Sequence, residues 1–152
     1  MKKWIAWVLT LAVLLFPSQK GTELGKLRPV ELLYAVKQGD ALILRTDTGD
    51  MGMGFTLRQA VADLKRTSQG TVFLDTADYL LVTGDTESLI PEFTSRMRPS
   101  AEVCLTEGDL DPEKAAEFLS AHPGKVTLQD LRAGEARLPT LHVAKGRFRL
   151  DP

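Results

Sequence analysis

A chain of 152 residues with 43% apolar and 26% charged residues has the make-up of one ordinary globular domain, not of a disordered segment. With 19 cations against 20 acids the net charge is −1, which gives the molecule no electrostatic reason to seek nucleic acid. A single cysteine, Cys104, rules out an intramolecular disulfide, and two histidines distant from it in sequence show no metal-ligand spacing.

Lys2 and Lys3 precede an uncharged apolar run, Trp4 to Phe16, which is the order of regions in an export signal. At a helical rise of 1.5 Å per residue the run spans roughly 20 Å, short of the roughly 30 Å hydrocarbon core. It therefore reads as a signal peptide or short anchor that contacts the membrane through residues 4–16. The two lysines favour a cytoplasmic N-terminal end and an extracytoplasmic body, anchored or secreted. Residues 1–20 are assigned to export, residues 21–28 to a polar linker, and residues 29–152 to a single folded body. No cysteine follows the apolar run, so no lipid is expected on it.

In the body, Val30–Val36 and Ala41–Thr46 flank a Lys37-Gln38-Gly39-Asp40 turn and predict an antiparallel hairpin. Thr46 to Gly54, with three glycines, reads as a loop. The clearest helix follows: Thr56 and Gln59 form a capping-box pattern, and Leu57, Ala60, Val61 and Leu64 recur on one face. Thr71–Leu74 and Tyr79–Thr83 read as two halves of a central strand, interrupted by Asp75 and Asp78 at a bulge or turn. Leu89, Phe93 and Met97 predict a second helix from near Ser88 to Arg98, with Pro91 in its first turn. Ala101–Thr106 is a strand that buries Cys104 as a small hydrophobe. Asp111 and Pro112 open a third helix with Ala115, Phe118, Leu119 and His122 on its inner stripe. Val126–Arg132 reads as a strand, and Leu141–Leu150 alternates around Gly146. The order predicts an α/β fold, with α+β as the alternative: a mixed sheet of about five to six strands carrying three helices.

Few segments suggest chemistry. Asp47-Thr48-Gly49 matches the active-site triplet of retroviral-type aspartic proteases, whose mechanism needs two such aspartates sharing one proton across a dimer. Asp50 stands where that family has a small residue, and a turn with Asx-type bonding explains the segment more simply. Met51-Gly52-Met53-Gly54 precedes a helix but lacks the spacing and the lysine of a phosphate loop, and reads as flexible. His122 is expected to bond the last carbonyls of its helix, and His142 to lie at the surface.

Gly54-Phe55-Thr56-Leu57-Arg58-Gln59-Ala60-Val61 resembles the opening of the amino-terminal domain of the spore germinant-receptor C-subunit lipoproteins. The apolar run Tyr79–Gly84, the segment Leu89–Arg96 and the strand and helix of Ala101–Leu119 follow that family's order. Thr76-Ala77-Asp78 stands where the family often has a histidine. The resemblance implies an exported, non-catalytic α/β module that works by contacting other proteins, with a link to germination or sporulation. The expectation is thus an accessory or binding module, not an enzyme, with no cofactor or metal and with another envelope or membrane protein as partner. The alternative is a small extracytoplasmic hydrolase using Asp47, Asp50 or Asp75, near strand ends where α/β sites open.

Overall fold

The computed structural model of the protein describes residues 27–108, 110–134 and 137–152. The expected export segment, residues 1–20, lies outside the described residues. The body is α/β. Its strands are β1 (Leu27–Pro29), β2 (Leu32–Gln38), β3 (Ala41–Thr46), β4 (Met51–Gly54), β5 (Thr71–Phe73), β6 (Tyr79–Val82), β7 (Glu102–Glu107), β8 (Thr140–Ala144) and β9 (Arg147–Asp151). Its helices are α1 (Leu57–Thr67), α2 (Ile90–Phe93), α3 (Pro112–Ala121) and α4 (Leu128–Ala133).

Seven strands form one mixed sheet in the order β4-β3-β2-β6-β7-β8-β9, while β1 and β5 make a separate parallel pair. The main sheet therefore exceeds the five to six strands expected. Its centre, β2-β6-β7-β8, is parallel, and antiparallel strands extend it on both sides. Two hairpins set the registers at its flanks. Gln38 pairs with Ala41 around Gly39 at φ 61°, and Ala144 pairs with Arg147 around Lys145 and Gly146, both at positive φ.

Alternation along the central strands builds two cores. Leu33, Ala35, Leu80, Val82 and Val103 face α1, α2 and α4, whereas Leu32, Tyr34, Leu81 and Cys104 face α3. Phe93 of α2 is fully buried in the first, and replacing it with alanine would cost about 3–5 kcal/mol. On the second face α3 runs across the strands. Its entry is fixed near β3, where Arg45 Nη1 donates to the Leu110 carbonyl at 3.4 Å, and Phe118 stacks on Phe148 of β9 at 5.5 Å.

Five local readings need correction. Residues 51–54 form β4, not a loop, because Gly52 and Gly54 let α1 lie directly on the strand. Residues 27 and 28, expected in the linker, pair with Thr71 and Val72 in the small sheet. That pairing, with a 3-10 turn at Leu74–Thr76, separates β5 from β6, so the expected central strand is two strands of different sheets. The second helix shrinks to a 3-10 turn at Glu87–Leu89 and the single turn α2, and hydroxyls of Thr94 and Ser95 bond back to Pro91 and Glu92 carbonyls at 2.7 and 2.9 Å. Finally, Val126–Arg132 is not a strand beyond one bridge at Thr127. Thr127 and Asp130 exchange capping bonds, and α4 begins at Leu128.

α1 forms as expected, with Leu57, Ala60, Val61 and Leu64 buried. Its side chains also occupy the free edge of β4. Asp63 Oδ2 accepts from the Met53 N–H at 2.9 Å, and the Thr67 hydroxyl donates to the Met51 carbonyl at 2.8 Å. Gln59 Oε1 accepts from the Phe55 N–H at 3.0 Å.

Candidate functional site

The segment Asp47–Asp50 is the tight connection between β3 and β4, with Gly49 at φ 83°. Asp47 does not make the local Asx bond expected from its sequence. Its Oδ1 reaches across to the start of β2 and accepts from the N–H groups of Glu31 and Leu32 at 3.1 and 3.0 Å. The local bonding is made by its neighbours instead. Thr48 donates to Asp50 Oδ2 at 2.9 Å, and the Asp50 N–H donates to Thr46 Oγ1 at 3.1 Å. The turn is thus a closed hydrogen-bonded unit in which the Asp47 carboxylate anchors the first residues of a central strand.

Because α3 enters over β3, the same turn faces the start of that helix. Together they line a cleft of about 490 Å³, walled by Asp47, Asp50, Asp111, Glu113, Arg45 and Met51 among others. Two of the three carboxylates suggested by the sequence, Asp47 and Asp50, come together here. Asp75 does not, and lines a different cleft beside Phe73, Lys65 and Arg96. Asp111 is engaged as the cap of α3, accepting from the Glu113 N–H at 3.2 Å and facing Lys114 at 3.4 Å. Among the described residues, no group of three or more His, Cys, Asp and Glu side chains is arranged to hold a metal ion.

Beside the cleft the sheet surface is apolar. Register puts Val36 next to Ile43 and Ile43 next to Met53, and Arg45 next to Met51, all on the α3 side. Met51 and Met53 are 51% and 50% exposed, and Phe55, just past β4, is 77% exposed. Strand alternation puts both methionines on the face opposite Gly52 and Gly54, which lie against α1.

The remaining candidates fall elsewhere. His122 is exposed at the end of α3 and not on its inner stripe. Its Nδ1 lies 3.1 Å from the Phe118 carbonyl and its ring stacks on Phe118. His142 is half-buried in a group the sequence did not suggest, with Nδ1 2.9 Å from Glu107 and Nε2 3.3 Å from Asp151, itself bonded to Arg149. Only the protonated imidazole can donate to both carboxylates at once. Cys104 is buried, and desolvation, with Glu102 beside it, pushes its thiol up to about 12. Burial raises Glu102 as well, although the Gly124 N–H opposes it, and Oε2 is buried without a hydrogen-bond partner.

Compared with known proteins, the chain matches no family model, no curated protein and no solved structure. No described helix is long and apolar enough to cross a membrane, and residues 4–16 lie outside the described residues.

Proposed function

We propose that this protein is an exported α/β binding module, tethered to the membrane or secreted, that contacts another envelope or membrane protein and performs no chemistry of its own. The observation that carries this reading is the exposed apolar surface of Met51 and Met53, on a strand whose backbone is fixed by α1, and of Phe55 just past it. Exposed apolar area on a rigid element is what a docking protein needs and what a soluble surface otherwise avoids. Export rests on Lys2, Lys3 and the apolar residues 4–16. A role beside spore germination or sporulation rests on the resemblance of Gly54–Val61 and of the order of the segments after it, Tyr79–Gly84, Leu89–Arg96 and Ala101–Leu119. Cross-linking in intact cells, followed by recovery from membrane fractions, is the test. A partner joined to the body supports the reading, and repeated recovery of the chain alone counts against it. Mass spectrometry of the mature N-terminal end tests export, which an intact Met1 on a soluble cytosolic chain would overturn.

The second reading, a small hydrolase, is favoured by the meeting of Asp47 and Asp50 in one cleft. Against it, Asp47 Oδ1 is committed to two backbone N–H groups. Hydrolysis of any substrate in a broad panel, abolished by Asp50→Asn with the fold intact, would favour the enzyme.

A further inference from the structure

The α3 side of the sheet is covered unevenly. α3 crosses it with its start over Arg45, and leaves the row Val36–Ile43–Met53 only partly covered. Met51 belongs both to this apolar surface and to the wall of the neighbouring cleft. The surface is therefore apolar along the strands and acidic at one end, where the four acids Asp47, Asp50, Asp111 and Glu113 outnumber the two cations Arg45 and Lys114, the latter paired with Asp111. The chain as a whole carries only −1, so this is a local concentration of negative charge and not a general property.

We infer that this face receives a segment of the partner protein that is apolar along one side and cationic at one end, its cation seated in the Asp50–Glu113 cleft. The inference rests on the binding-module reading and specifies its partner's chemistry. An acidic rim repels anionic lipid and acidic peptides, and attracts lysine or arginine. The segment docks by side chains on the face and does not add as a strand at β4. The Met53 N–H and the Met51 carbonyl, which strand addition would use, are already bonded to Asp63 and Thr67.

The test uses the full-length chain in zwitterionic nanodiscs and a fluorescent amphipathic peptide of leucine and lysine, with a leucine–glutamate peptide as control. Binding of the lysine peptide is expected to saturate, and to weaken about tenfold as salt rises to about 0.3 M. Carbodiimide coupling should join its lysines to Asp50 or Glu113. Met53→Ser and Glu113→Gln, both at exposed positions, should each weaken binding about fivefold or more with circular dichroism unchanged. Equal binding of the glutamate peptide, coupling spread over Glu87, Glu92 and Glu117, or unaltered binding by both variants would overturn the inference. So would self-association in sedimentation that Met53→Ser abolishes, which would assign the face to a second copy. A cellular partner coupled to a different face removes this inference and leaves the binding-module reading standing. Recovery of no partner at all tells against that reading itself.

Discussion

Gly52 of β4 sits directly beneath Leu64 of α1, with the Ala60 carbonyl alongside, and a Cβ on Gly52 would overlap both backbones. Helix and strand touch main chain to main chain at this point, which no other residue permits. Gly52→Ala should therefore destabilise the fold by about 2 kcal/mol or more, because the clash is with backbone and not with a flexible side-chain end. Urea unfolding measures it. Gly84→Ala, where an added Cβ meets nothing within 4 Å, is the control expected to leave the midpoint nearly unchanged.

Asp47 is a fastening for β2. Removing its carboxylate with Asp47→Ala strips two N–H groups, of Glu31 and Leu32, of their acceptor, at a cost of about 1–3 kcal/mol. Asp47→Asn keeps an acceptor oxygen and should lose less. The order alanine worse than asparagine, read from denaturation midpoints, is the expected outcome; equal and negligible losses would show that the bonds do not matter.

Glu102 gives a pH signature. Burial raises its folded pKa above the usual 4.5, so the folded state favours the protonated acid. The stability this contributes is fully present below the unfolded pKa and is lost as pH rises from about 4.5 through the higher folded value. Glu102→Gln should abolish that decline, so the variant gains on the wild type as pH increases towards neutrality. Denaturation midpoints of the two proteins between acidic and neutral pH provide the comparison, and parallel curves would refute the assignment.

Cys104 should be chemically silent in the native protein. Its thiol is buried and pushed up to about 12, so almost none is thiolate at pH 8. A thiol reagent should label it only at the rate of global unfolding, and rapidly in urea. Fast labelling of the native chain would contradict the packing.

Much of this architecture could be read from residues alone where local signals and tertiary needs agreed. α1 announced itself through Thr56, Gln59 and the Leu57–Leu64 stripe, and the β2–β3 turn through Gly39 and Asp40. The failures have a common cause. Met51-Gly52-Met53-Gly54 signals a loop by composition, and only the presence of α1 explains why glycine is needed on one face of a strand. Thr127 and Asp130 do spell a capping box, but a helix of six residues is too short to show a period. In the candidate site, Asp47 and Asp50 were visible as a motif. Asp111 and Glu113 were not visible as their neighbours, because the path of α3 across the sheet depends on packing that no local pattern encodes. Likewise, Glu107 meets His142 only through a parallel register set after a long crossover.

The occupied edge of β4 has a bearing on solubility. With Asp63 and Thr67 seated on its outward amide and carbonyl, that border offers no template for amyloid-like stacking of one molecule on the next. The far border, β9, carries the charge of Arg147 and an Arg149–Asp151 ion pair. Any fibril that grows from folded protein should therefore nucleate at β9, and anions that neutralise Arg147 should hasten it.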